Sequence, residues 1–242
     1  MRELEGRTVV LTGAAGGLGT PIARMAAEQG ARLLLIDLDE GKLASLASTL
    51  PGPGHVTAVS DLGTPEACAE AIAAIDGPLY GLVHMAGIYV PHALEPGARE
   101  VYDRTLAANT TNAFDLVCAM QPRLTTDEPS RLVFASSQAF RRGSIGHVAY
   151  SVAKGGIAGL VRALSRNLAP NVLVNGLAPG AIDTPMPAHA LAARGAEMLR
   201  DIPLGRIGRP EEVAGVVLFL LGPHATYITG QIINVDGGVH NA

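Results

Sequence analysis

Charge, cysteine and long apolar runs are all scarce in this sequence, and each scarcity excludes something. Charged residues account for 17% of the 242 positions, the net charge is −4, and the basic residues form no cluster. That balance argues against nucleic acid or an anionic membrane as the main partner. The longest apolar stretch, Val213-Ala214-Gly215-Val216-Val217-Leu218-Phe219-Leu220-Leu221, is far too short to cross a bilayer. The first apolar run, Thr8-Val9-Val10-Leu11, has the size of a strand and not of a secretory segment. Two cysteines, Cys68 and Cys118, lie in helix-like stretches without metal-ligand spacing. They read as buried small apolar residues of a reduced, cytoplasmic protein. The seven histidines are scattered, so no metal site is expected.

What is present is apolar content, 48% of the chain, enough for a sizeable core in one domain spanning 1–242. The pattern predicts strands at 8–12, 32–37, 55–60, 79–86, 131–136, 171–178 and 231–235. Between them it predicts helices near 18–29, 40–49, 65–75, 97–121, 150–168 and 210–221. Near-continuous apolar strands such as Leu33-Leu34-Leu35-Ile36 fit burial on both faces of a parallel sheet. The expected fold is α/β, a Rossmann-type doubly wound parallel sheet flanked by helices. One long connection, Gly180–Pro203, lacks a clear strand, and Pro185 and Pro187 break any early helix. Its length reads as a substrate lid at about 185–203.

Two places carry chemistry. The first predicted strand runs into Thr12-Gly13-Ala14-Ala15-Gly16-Gly17-Leu18-Gly19 and then a helix. Glycines there let backbone approach a pyrophosphate at the positive end of the helix. The adjacent Gly16 and Gly17 permit two readings of the glycine spacing. Asp37 closes the second strand, where a carboxylate accepts from both hydroxyls of an adenosine ribose and repels a 2′-phosphate. No Lys or Arg occupies Ala14–Leu18, and Leu38 follows Asp37, which favours NAD over NADP; the plainer role for Asp37 is capping the next helix. Asp61-Leu62, after the third strand, reads as an adenine-edge contact. The second place is Tyr150 and Lys154, four apart in Ala149-Tyr150-Ser151-Val152-Ala153-Lys154, with Ser136-Ser137 upstream. On a helix the ammonium shares a face with the phenol and is expected to lower its pKa from ~10 towards neutrality.

Together these pieces resemble the short-chain dehydrogenase/reductase family, in its shorter branch, over nearly the whole chain from Thr12 to Gly238. The carriers are the Thr12–Gly19 loop, Asn109, Ser137, Tyr150-x-x-x-Lys154 and Asn175-Gly176-Leu177-Ala178-Pro179-Gly180, continued by Ile182 and Thr184. Gly205-Arg206-Ile207-Gly208-Arg209-Pro210-Glu211-Glu212-Val213-Ala214 and Thr229-Gly230-Gln231-Ile232-Ile233-Asn234-Val235-Asp236-Gly237-Gly238 extend it. The resemblance resolves the glycines in favour of Gly13-Gly17-Gly19. Enoyl reductases of related architecture place six residues between Tyr and Lys, whereas this chain has three. One departure stands out: where the family usually has Asn-Asn-Ala-Gly, this chain reads His84-Met85-Ala86-Gly87. The missing amides are expected to affect local bracing and not the chemistry, with Met85 filling the gap and His84 a core histidine.

The resemblance implies an oxidoreductase exchanging a hydride between NAD(H) and a small-molecule secondary alcohol or ketone. Tyr150 is then the general acid or base, and Ser137, thirteen residues before it, binds the reacting oxygen. Lys154 tunes the phenol and holds the nicotinamide ribose, and Asn109 keeps a water beside Lys154. Gly13, Gly17, Leu18, Gly19, Ala86 and Gly87 approach the cofactor; Pro179, Gly180 and Ile182 line the nicotinamide, and Thr184 touches its carboxamide or the pyrophosphate. Substrate is expected between 137–147, the loop carrying Tyr89, Val90 and His92, and the lid. Arg141, Arg142 and His147 are candidate contacts. An NADPH-dependent 3-oxoacyl-carrier-protein-type reductase is the alternative, and a non-catalytic nucleotide-sensing protein the minor one. A homotetramer is implied, with no nucleic-acid or membrane partner.

Overall fold

The computed structural model describes residues 2–186 and 199–240. Seven parallel strands form one sheet in the order β3-β2-β1-β4-β5-β6-β7. They are β1 (Thr8–Thr12), β2 (Arg32–Asp37), β3 (Val56–Val59), β4 (Gly81–His84), β5 (Ser130–Ala135), β6 (Val172–Pro179) and β7 (Ile232–Val235). The order reverses between β1 and β4, so connections leave in opposite directions and open a crevice at the strands' C-terminal ends.

The helices follow from where apolar residues fall. Helices α1 (Gly19–Glu28) and α2 (Glu40–Thr49) cover one face with the later α8 (Pro210–Leu221). The other face carries α3 (Pro65–Ala73), α5 (Asn112–Met120) and α7 (Val148–Asn167). Between them in sequence lie α4 (Arg99–Leu106), which packs on α7, and the short α6 (Ala139–Arg142). Successive residues of β1 serve opposite cores: Val9 and Leu11 join one, Val10 the other. Leu33 through Ile36 are all fully buried. At about 2 kcal/mol per buried aliphatic side chain, this run anchors β2 and so fixes where Asp37 emerges. Asp39, not Asp37, caps α2, accepting from the Lys42 amide at 3.0 Å. The capping role for Asp37 is thereby removed.

Three local expectations need correction. The expected strand 79–86 is shorter, because Met85 and Ala86 leave the ladder and donate instead to Thr12 O and Thr12 Oγ1. The expected single helix 97–121 is interrupted by a π-helical turn, Ala107–Thr111, between α4 and α5. Side-chain amides there compete for helix carbonyls: Asn109 Nδ2 donates to Thr105 O and Asn112 Nδ2 to Ala108 O, each four residues back. The expected lid at 185–203 falls largely on residues 187–198, outside the described residues.

Candidate active site

A cavity of about 600 Å³ opens at the C-terminal ends of the central strands, and Asn109, Ser137, Tyr150 and Lys154 all line it. Helix α7 brings Tyr150 and Lys154 onto one buried face. Lys154 Nζ donates to Ala135 O at 2.9 Å and lies 5.5 Å from the Tyr150 ring centre. Ser136 Oγ donates to Lys154 O at 2.8 Å, tying the start of the loop after β5 to the helix. Ser137 Oγ accepts the Ala139 amide at 3.1 Å and is the hydroxyl that acts on the Tyr150 phenol. Both adjacent serines line the cavity, but they divide the work: Ser136 is spent on the Lys154 carbonyl, and Ser137 acts on the phenol.

The expected acidification of Tyr150 is overturned for the protein on its own. Burial pushes the phenol up to about 12; Ser137 opposes this and the nearby Tyr89 phenol adds to it. Burial also brings Lys154 down to about 8. Desolvation penalises whichever form is charged, so it moves an acid and a base in opposite directions. Here burial is the leading cause for both groups, and the ammonium is directed to a carbonyl and not to the phenol.

The π-turn places Asn109 beside this pair. Thr110 Oγ1 donates to Ala153 O at 2.8 Å, and a Cβ on Gly156 would lie 2.9 Å from Thr110 Cγ2. A glycine in mid-helix is what lets the turn sit this close to α7. Asn109 Nδ2 also donates to Ile88 O at 3.0 Å, whereas the fully buried Oδ1 has no partner among the described residues. A Cβ on Gly87 would overlap that oxygen and lie 3.4 Å from Lys154 Nζ. Only glycine fits between the amide and the ammonium.

The dinucleotide end is shaped the same way. A Cβ on Gly13 would lie 2.8 Å from the Ala86 amide nitrogen, one on Gly17 would lie 2.7 Å from Thr184 Cβ, and one on Gly19 would overlap the Gly13 carbonyl. Gly16 is the least constrained, with its nearest neighbour at 3.1 Å, in keeping with the Gly13-Gly17-Gly19 spacing. Gly180 is held against Asp236, whose Cα would lie 2.8 Å from an added Cβ. Asp37 Oδ2 accepts the Ala15 amide at 2.9 Å and Oδ1 the Leu38 amide at 2.8 Å, fixing the carboxylate beside the glycine loop. Leu18, Gly87, Pro179, Gly180, Ile182 and Thr184 line the main cavity. Asp61 is exposed, with Oδ1 accepting from Gly63; the Leu62 side chain is in the core and its N–H goes to Ser60 Oγ. Leu62 holds a left-handed backbone, φ 55°. A backbone cradle, a helix N-terminus and a fixed carboxylate beside them fit a dinucleotide.

On the substrate side, sequence reasoning named Tyr89 and His147 but not their relation. Their rings stack at 3.7 Å, and Tyr89 meets Tyr150 edge-on at 4.8 Å. Tyr89 Oη lies 2.8 Å from Ser144 Oγ, so this aromatic wall is braced from both loops. No sequence period reports such a contact between distant loops. Arg142 lines the cavity and pairs with Asp201 at 3.9 Å, while Arg141 lies over the Phe140 ring at 4.8 Å. His92 contributes a backbone bond to Gly146 O and does not line the cavity.

A family model described as enoyl-(acyl carrier protein) reductase matches residues 13–240. The 3-oxoacyl-[acyl-carrier-protein] reductase FabG of Thermotoga maritima is 33% identical over 243 residues, covering 98% of this chain and 99% of that protein. A Brucella melitensis structure titled short-chain dehydrogenase/reductase SDR:glucose/ribitol dehydrogenase superposes with a TM-score of 0.94 at 37% identity, covering 99% of both chains. A Brucella melitensis 3-oxoacyl-[acyl-carrier protein] reductase with bound NAD gives 0.89 at 29% identity, covering 100% of this chain and 94% of that one.

The buried ammonium makes a prediction about stability. Lys154 has its folded pKa depressed to about 8 from 10.5, so between those values the unfolded chain binds more protons and wild-type stability rises with pH. Below pH 8 the burial penalty is complete. Lys154→Met therefore stabilises the fold at pH 7 by on the order of 1–3 kcal/mol, less the lost bond to Ala135 O. Thermal melts should show that gain shrinking from pH 8 to 10.5. A variant less stable than wild type at pH 7 would refute the penalty.

Proposed function

The chain belongs to the short-chain dehydrogenase/reductase family, and on that premise we propose that it interconverts a secondary alcohol and a ketone using NAD(H). The observation that carries this is the convergence of Ser137, Tyr150, Lys154 and Asn109 on one cavity that also reaches the glycine-rich loop. The dinucleotide, once bound, supplies or accepts the hydride. Gly13, Gly17, Leu18 and Gly19 would take its pyrophosphate, Asp37 its adenosine ribose, and Asp61-Leu62 its adenine edge. Ala86, Gly87 and Lys154 would hold the second ribose, with Pro179, Gly180, Ile182 and Thr184 around the nicotinamide.

In reduction Tyr150 donates its proton to the substrate oxygen while Ser137 donates a hydrogen bond to the same atom. A phenol near 12 is fully protonated at neutral pH, the state an acid needs. Oxidation asks Tyr150 to ionise instead, which a positive charge brought beside the phenol favours. Lys154 replenishes the proton, and the unsatisfied Asn109 Oδ1 offers a water its acceptor next to that ammonium. Three residues between Tyr150 and Lys154 favour carbonyl over enoyl chemistry, despite the description of the family model.

NAD preference rests on Asp37, since a 2′-phosphate would meet a fixed carboxylate. Lys42, a cation within reach of its field, is held by Asp39 at 2.7 Å. The NADPH-dependent 3-oxoacyl-carrier-protein reading is favoured by the name of the Thermotoga maritima relative and by Arg142 in the cavity wall, a guanidinium suited to an acidic or acyl-carrier-borne substrate. Both cysteines are free, Cys68 buried and Cys118 exposed where burial was expected, and free thiols suit a cytoplasmic setting. A homotetramer is supported by exposed Phe114 on α5 and Val148 and Val152 on α7, and by the half-buried edge strand β7.

Purified protein should oxidise NADH with a carbonyl panel or reduce NAD⁺ with an alcohol panel. Tyr150→Phe should keep NADH binding and lose roughly 10²–10⁴-fold in kcat; near-normal turnover removes Tyr150 from the mechanism.

Asp37→Ala combined with Leu38→Arg should move the ratio of kcat/KM towards NADPH by tenfold or more, on the order of one favourable charge pair. An unchanged ratio counts against Asp37 as the discriminator.

Sedimentation equilibrium should return four times the chain mass; a monomer at micromolar concentration contradicts the tetramer.

A further inference from the structure

Tyr89 has no part in the chemistry above, yet its ring sits against the residue that carries it. His147, at the N-cap of α7, and Tyr150, three residues further on, share one side of the helix, and Tyr89 occupies the notch between their rings. It lies flat on His147, with ring centres 3.7 Å apart and an interplanar angle of 2°, and meets Tyr150 edge-on at 4.8 Å and 81°. Its hydroxyl lies 2.8 Å from Ser144 Oγ. Its loop is tied on either side: Ile88 O accepts Asn109 Nδ2 at 3.0 Å, and the His92 amide donates to Gly146 O at 2.9 Å.

The notch is built as firmly as the ring that fills it. His147 Nδ1–H donates to Ile145 O at 2.9 Å and its amide to Ser144 O at 3.0 Å, while the Ser144 amide donates to Ser151 Oγ at 3.0 Å. Tyr89 cannot turn away without giving up a face, an edge or a hydroxyl contact, and aromatic rings favour the edge-on approach that it makes to Tyr150. It is half-buried where Tyr150 is buried, and both line the cavity, so Tyr89 forms the outer layer of this wall. The phenol's state agrees with such cover: burial is the leading cause that holds it at about 12, Ser137 opposes this, and the Tyr89 phenol adds to it.

We propose that Tyr89 is a positioning residue: braced by His147 and Ser144, it fixes the Tyr150 ring in place and keeps bulk water from the phenol. Misplacing a catalytic group by about 1 Å can cost on the order of 10²-fold in rate. Letting water reach the ring would relieve the desolvation that opposes ionisation, and bring the phenol down towards its ordinary value of about 10. The proposal rests on the oxidoreductase reading for its catalytic consequence, but the shield itself does not.

Tyr89→Leu removes the ring, whereas Tyr89→Phe keeps it and gives up only the bond to Ser144. The first should lower kcat by roughly 10–100-fold, and the second should recover most of that loss. His147→Leu takes away the face on which Tyr89 rests and should lower kcat as well. Combined with Tyr89→Leu it should be no worse than the poorer single variant, the mark of two groups acting as one. Ionisation of the Tyr150 phenol gives a readout that needs no turnover, followed by phenolate absorbance as the difference between each protein and the same protein carrying Tyr150→Phe. That ionisation should move to lower pH in Tyr89→Leu and much less in Tyr89→Phe. An unmoved ionisation in Tyr89→Leu, even with a fall in kcat, would overturn the shield, as would a loss in Tyr89→Phe equal to that in Tyr89→Leu. If Tyr89→Leu does not fold, His147→Leu carries the same test, with unchanged ionisation and kcat refuting the proposal. Absence of turnover in wild type with every carbonyl and alcohol would sink the oxidoreductase reading, while the phenol titration would still decide the shield.

Discussion

Desolvation of the Tyr150–Lys154 pair is the constraint around which the site is organised. Both side chains lie on the buried face of α7, and burial drives each towards its neutral form, the phenol up to about 12 and the amine down to about 8. In a low-dielectric pocket each added charge counts for more than it would in water. The phenol's readiness to lose its proton is therefore not a property of the apoprotein. It depends on what charge arrives in the cavity, while readiness to donate is present from the start. That asymmetry follows from placing an acid and a base together in the interior, and no surface pair at the same helical spacing would show it.

The fold supplies the burial. A parallel sheet covered on both faces leaves its C-terminal strand ends as the natural opening, and the reversal between β1 and β4 puts the glycine loop, the β4 exit and the β5 exit side by side. Two bonds then fix α7 to β5: Lys154 Nζ to Ala135 O and Ser136 Oγ to Lys154 O. Helix α7 is thus registered on the sheet through Lys154 itself. Glycines do the complementary work, since Gly87 and Gly156 remove the side chains that would keep Asn109 away from Lys154.

Most of this architecture was legible in the sequence because it rests on local signals. The apolar runs of β1 and β2 and the helix stop at Thr49 were read to the residue, and Tyr150, Lys154 and Ser137 meet as their spacing implied. What escaped depends on contacts between distant segments. Nothing in 97–121 marks a π-turn, because its cause is the competition of Asn109 and Asn112 amides for backbone carbonyls, and asparagine in a helix is compatible with many outcomes. The Tyr89–His147 stack joins loops far apart in sequence. The tyrosine's electrostatics were misjudged for a related reason: helical spacing reports that two charges are neighbours, but not how much water they lose.

Unsatisfied polar atoms show where the structure concedes stability. His84 Nε2, Asn109 Oδ1, Asn112 Oδ1 and Gln138 Oε1 are all enclosed without a partner at full geometry among the described residues. Two belong to cavity-lining residues, Asn109 and Gln138; Asn112 follows the π-turn and His84 closes β4. Each would cost about 1–3 kcal/mol if left wholly unpaired, a sum no marginally stable domain carries without compensation. The strands beneath are saturated with buried aliphatic side chains, which offset such local deficits. A cavity with the Asn109 and Gln138 acceptors already in place needs little rearrangement to receive water or ligand donors. Replacing Asn109 or Gln138 with a well-packed apolar group would trade that preorganised polarity for stability.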